Sequence, residues 1–223
     1  MRITGGLVAL LSASIPAIAS ATDQEPIVAQ TCELHVWPSD KLKSVYFGWV
    51  HGGTVDGAQK GRSGYPALPS DPIPTNRQAQ LLEAAEPQKL LGRADDRLIV
   101  HADALDSRTI RTTPGRLGDS KATCYGELVV DDIVFRQDVV AGTVLMTLFR
   151  YRRFGADPVA EYRFANWAKS TVTLLPLRPG ADVTAAITEL EGAYVGDLKS
   201  FAELVRKQAS RNDRRAVSSK GSK

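Results

Sequence analysis

Three histidines, two cysteines and a short run of arginines are the side chains of this 223-residue chain best suited to chemistry. His35, His51 and His101 are scattered and share no motif. There is no H-E-x-x-H pair for zinc and no glycine-rich phosphate loop ending in Lys-Ser/Thr. Gly61-Arg62-Ser63-Gly64-Tyr65 falls one glycine short of a nucleophile elbow. Cys32-x-x-His35 is half of a zinc spacing, and His101 and Cys124 could supply the rest. On a strand, however, residues three apart point to opposite faces, so no metal or other cofactor is expected. The same alternation separates Asp131 from Asp132, which reads as one solvated aspartate and one at a strand irregularity rather than a proton-sharing dyad.

The run Phe149-Arg150-Tyr151-Arg152-Arg153-Phe154 combines positive charge with rings. Strand alternation places Arg150 and Arg152 on one face, where they repel unless acids lie across the sheet. The first reading is a solvated, charge-paired outer face, with Asp132 and Arg136 within reach. The second is a patch for an anionic ligand.

Cys32 and Cys124 each open an apolar, strand-like run, CELHVW and CYGELVV. Their pairing in a disulfide is expected because the chain begins with an export signature: Arg2, an uncharged apolar run from Gly5 to Ile18, then Ala17-Ile18-Ala19 and Ala19-Ser20-Ala21. Residues 1–21 read as a signal peptide cleaved after Ala21, and nothing later is apolar enough to cross a bilayer. The expected location is the periplasm or the exterior. Net charge is +3 overall. From Arg206 onward, seven basic residues stand against Asp213, a net of +6, so residues 22–205 are acidic. An acidic body with a basic tail is unlike a nucleic-acid-binding domain.

The elements that must position these residues centre on a hairpin between Cys124 and Phe154. Val129, Asp131, Ile133, Phe135 and Gln137 alternate with Val130, Asp132, Val134 and Arg136 on its first arm. Thr143, Leu145, Thr147, Phe149 and Tyr151 alternate with Val144, Met146, Leu148 and Arg150 on the second, and Ala141-Gly142 supplies the turn. Further strands are expected at 31–37, 97–102, 159–164 and 170–177, and a strand or buried turn at 44–50. Asn76 reads as the cap of a helix, and Pro87 to Gly92 as a short second one. After Asp182, the steps between Val183, Ile187, Leu190, Tyr194, Leu198, Phe201 and Val205 mark an amphipathic helix over 183–207. Gly192 and Gly196 would let it lie close to the sheet. Residues 208–223 read as a disordered basic tail. Residues 48–76 carry six glycines and four prolines and read as a long loop, with Trp49, Tyr65, Leu68 and Ile73 as possible partner anchors. Residues 103–122 form a second, polar loop.

The fold class expected is α+β, one domain over 22–207, with a mostly antiparallel sheet packed on the C-terminal helix. The order of elements from Cys124 to Lys207 resembles small exported domains, such as the periplasmic domains of curli-type secretion lipoproteins and the auxiliary lipoproteins of envelope transporters. It departs from them in lacking a lipid-attachment cysteine, since Cys32 sits in VAQTC. The resemblance implies an accessory role in the envelope. The function expected is therefore a non-enzymatic envelope protein that binds another protein or an anionic surface polymer. The alternative is a periplasmic enzyme or small-ligand binder with a pocket under the 48–76 loop, where His51 and His101 could converge.

Overall fold

The computed structural model describes residues 32–47, 54–55, 68–138, 140 and 142–220. Its centre is a 14-residue strand, β5 (Tyr125–Asp138), paired antiparallel with β6 (Gly142–Phe154). Gly142 takes φ +83°, the positive value for which glycine was expected at this turn. β6 pairs in turn with β7 (Ala160–Thr171), a single strand where two had been expected on either side of 165–169.

The opposite edge of β5 is parallel. β1 (Glu33–Trp37) lies along Tyr125–Val129 and β2 (Leu42–Phe47) along Ile133–Asp138. The two read as one strand interrupted at Pro38–Lys41. The interruption faces the place where β5 itself bulges, between Val130 and Asp132. β3 (Thr54–Val55) adds antiparallel to β2, and β4 (Arg97–Val100) adds parallel to β1. The sheet is thus mixed, antiparallel in its long hairpin half and parallel in the half formed by β1, β2 and β4.

The bulge changes the expected alternation. One extra residue, Asp131, resets which side chains face which way. Val130, Ile133 and Phe135 point to the helical side, whereas Val129 faces the other side with Trp37 and Ile110. On the second arm, Leu145, Thr147, Phe149 and Tyr151 share the helical side as expected.

Three helices cover that side: α1 (Thr75–Ala84), α2 (Pro87–Leu90) and α4 (Val183–Lys220). α1 begins two residues earlier than expected, with Pro74 rather than Asn76 at its cap position. The Asn76 side chain bonds only to the next backbone N–H, and the Thr75 hydroxyl instead donates to the carbonyls of Ser39 and Asp40. Gly92 closes α2 with φ +75°, as expected. The α4 stripe from Leu190 through Tyr194, Leu198 and Phe201 to Val205 is buried on the sheet, while Val183 is exposed. Of the two glycines, only Gly196 lies against the sheet, where a Cβ would stand 3.4 Å from Ser170 Oγ; Gly192 faces open space.

Two expectations about loops are corrected. Ile73 is fully buried in the main core and so is not free to anchor a partner, while Leu68 is partly buried against the same core. The segment entering α1, bent over 70–73 with Asp71 at φ +42°, brings Ile73 into the core, and apolar residues among prolines can serve a core as well as a surface. Trp49 and Tyr65 lie outside the described residues. The tail expected to be disordered is helical as far as Lys220, because Gln, Ala and Arg are good helix formers and no glycine or proline occurs between Gly196 and Gly221.

Candidate functional site

Among the described residues, the second face of the sheet carries no long helix. A strap from Ala102 to Cys124 crosses it, enclosing a short helix, α3 (Ser107–Thr112). The polar composition of this strap suggested a plain loop. Asp106 creates the helix by accepting from the backbone N–H groups of Arg108 and Thr109, both at 3.0 Å.

Charge holds the strap down. Beneath it, Glu33, Glu127 and Asp131 are buried carboxylates, each with its own donors. Glu127 accepts from Arg152 Nε at 2.7 Å and from the Leu117 backbone N–H. Asp131 accepts from Ser107 Oγ and Arg150 Nε, both at 2.7 Å. Arg116 spans the strap, donating to the carbonyls of Ser120, Ala122 and Gly155 and lying 4.8 Å above the Tyr125 ring.

Around Glu33 runs a chain of titratable groups. Ser120, Arg97 and His35 all donate to its carboxylate. The Ser120 hydroxyl does most to hold Glu33 down at about 2, with Arg97 and His35 adding to it against the opposing effect of burial. His35 Nε2 lies 3.0 Å from Glu33, and its Nδ1 lies 3.0 Å from His101 Nε2. If His35 donates to Glu33, its Nδ1 is the acceptor for His101. The His101 ring stacks on Trp37 at 4.1 Å between centroids. Burial and the neighbouring His35 push its pKa below the ordinary histidine value.

This chain does not have the order of a hydrolytic triad. There the imidazole sits between the hydroxyl and the carboxylate so that it can take the nucleophile's proton. Here the carboxylate sits between Ser120 and His35, and its lone pairs are engaged by donors. The arrangement binds the strap and orients His101.

The metal reading of Cys32, His35, His101 and Cys124 separates into two parts. The cysteines form the expected disulfide, with Cα atoms 4.9 Å apart, joining the starts of β1 and β5. The histidines meet on the opposite face. Among the described residues, no group of three or more His, Cys, Asp or Glu could hold a metal ion. His51 lies outside the described residues. Sequence spacing alone could not reveal the His35–His101 contact, because it depends on β1 and β4 being parallel neighbours.

Arg150 and Arg152 do share a face, and each is paired with an acid. Their partners are Asp131 and Glu127 rather than Asp132, because the bulge turns Asp131 to this side. Asp132 pairs instead with Lys43 at 3.0 Å. The face is also not solvated as expected: the Arg152 side chain is 11% exposed. On either side of α3 the strap leaves an opening. One, of about 350 Å³, lies over the β1–β2 interruption between Ser39, Lys43, Leu105 and Asp132. The other, of about 220 Å³, is walled by Arg111, Arg150, Arg152 and Arg163. Arg111 and Arg163 were not singled out in the sequence, since α3 and the β6–β7 register bring them there.

No helix among the described residues is long and apolar enough to cross a membrane. No family model matches the chain, and no curated protein matches it. Among solved structures it is similar to protein XCC0632 from Xanthomonas campestris, of family DUF330. Identity there is 9%, with 81% of this chain and 89% of that chain covered and a TM-score of 0.40. An uncharacterised protein is 10% identical over 79% of this chain and 93% of its own, with a TM-score of 0.34. The hypothetical protein CT253 from Chlamydia trachomatis is 10% identical over 79% and 99%, with a TM-score of 0.32.

Proposed function

We propose that this chain is an exported, non-enzymatic envelope protein that binds an anionic surface polymer or an acidic face of another envelope protein. The observation that carries this reading is the C-terminal arm. At 38 residues, α4 is about 57 Å long at the usual helical rise. Its apolar stripe ends at Val205, yet the helix continues. Lys207, Arg211 and Arg214 follow at helical spacing and are exposed. Like charges at these intervals weaken an isolated helix. An anionic partner would remove that repulsion and draw on the field of a basic arm attached to an acidic body. The export signature and the disulfide support an oxidising location.

The test is binding of the mature protein to envelope fractions and to anionic vesicles at rising salt, compared with a K207S/R211S/R214S variant. Expected is salt-sensitive binding that falls at least tenfold in the variant, with thermal stability unchanged. Equal binding by both proteins would overturn the proposal. A small-ligand reading is favoured by a different feature, the arginine-walled opening, whereas residues 48–53 and 56–67 of the loop expected to cover a pocket lie outside the described residues.

A further inference from the structure

Arg163 on β7 stands directly across from Arg152 on β6, which in turn faces Glu127 on β5. Like charges opposite one another in a sheet are unfavourable. Here Arg150 is added from the same strand and Arg111 from α3, around an opening of about 220 Å³. The nearby carboxylates do not account for all four. Asp131 takes Arg150 and Glu127 takes Arg152, while among the described residues no acid pairs with Arg111 or Arg163. Four arginines against two carboxylates leave an excess charge of two.

The guanidinium groups are also held in place. Arg111 Nε donates to the Ser107 carbonyl at 2.9 Å, Arg152 Nη1 to that of Thr113 at 2.8 Å and Arg163 Nη2 to that of Pro114 at 3.1 Å. Arg111 and Arg163 are each anchored at one nitrogen by these bonds, whereas Arg152 is also held by Glu127 through Nε. Arg152 Nη2 is buried and ion-paired with Glu127, yet has no acceptor in hydrogen-bonding geometry. Across the floor, Ala165 lies opposite Arg150, and its small side chain leaves the space open.

We infer that this opening binds a phosphate group, as the free ion or as the phosphomonoester of a lipid or polymer. A phosphomonoester near neutral pH carries about −1.5 to −2, which matches the excess charge. Its three terminal oxygens suit donors supplied by β6, β7 and α3 together, whereas a carboxylate is satisfied by one forked arginine. The opening is smaller than a typical whole-ligand pocket of about 300 Å³ or more, so it takes the head group and leaves the rest of the molecule outside. This site is separate from the C-terminal arm and stands whether or not the arm binds.

The test is calorimetric titration of the full mature chain with inorganic phosphate, glucose 1-phosphate and acetate, and flotation with vesicles of phosphatidic acid or phosphatidylcholine. R163S and R111S/R163S are compared with wild type because neither arginine supports a buried carboxylate, and K169S on the same strand is the control. Expected is binding of phosphate species that falls at least tenfold in both variants, with K169S and the melting temperature of the free protein unchanged. Preference for phosphatidic acid vesicles over free phosphate identifies a lipid source, and the reverse a soluble one. Absence of phosphate binding by wild type, equal binding of acetate, or undiminished binding by R111S/R163S would each overturn the assignment.

Discussion

Thr147 on β6 donates its hydroxyl to Asp197 on α4 at 2.8 Å within the apolar layer between helix and sheet. Ser170 on β7 donates to the other carboxylate oxygen at 2.7 Å, so one buried acid ties α4 to two strands. Burial raises Asp197 from 3.8 to about 6, and the two hydroxyls only partly offset it. With the native pKa raised, the stabilisation is complete below about pH 4 and is lost as pH rises through about 6. Asp197→Asn should therefore gain about 3 kcal/mol relative to wild type between pH 4 and 7. Urea unfolding of both proteins across that range measures it; a pH-independent difference would refute the shift.

His101 gives the opposite slope. Its native pKa is lowered from 6.5 by burial and by His35 opposite it, with Asp103 acting the other way. The unfolded chain takes up the proton first, so the contribution is present above pH 6.5 and declines below it. In the Asp197→Asn background, melting temperature should fall between pH 7 and 5. Adding His101→Gln should flatten that fall. An unaltered profile would show that His101 does not couple to folding.

Arg152 and Arg150 should differ sharply when replaced. Arg152→Ser leaves Glu127 fully buried without its cationic partner, a loss of about 3–5 kcal/mol. Arg150→Ser leaves Asp131 with Ser107, and the arginine is itself 29% exposed, so about 1–2 kcal/mol is expected. Chemical denaturation ranks the two; equal, small effects would mean that the face behaves as a solvated one.

The Cys32–Cys124 bond closes a loop of sequence separation 92 and clamps neighbouring parallel strands. In the chain-entropy account a loop of that size contributes about 4–5 kcal/mol. The double serine variant should lose a comparable amount, and thiol titration of the denatured wild type should find no free thiol. A free-thiol count of two would contradict the bond.

Local pattern was enough for much of this. Alternation revealed the two arms of the hairpin, helical periodicity the buried stripe of α4, and paired strand-opening cysteines the disulfide, because each signal lies within a few neighbouring residues or follows from the oxidising location that the N-terminal sequence predicts. Tertiary structure alone decided the rest. The bulge at Asp131 exchanges the faces of Val129 and Asp131 relative to simple alternation, since one inserted residue reverses a period of two. The parallel pairing of β1 with β4 brings His35 to His101, and the β6–β7 register sets Arg163 against Arg152. Such contacts join residues far apart in sequence, and no local propensity encodes which strand becomes whose neighbour.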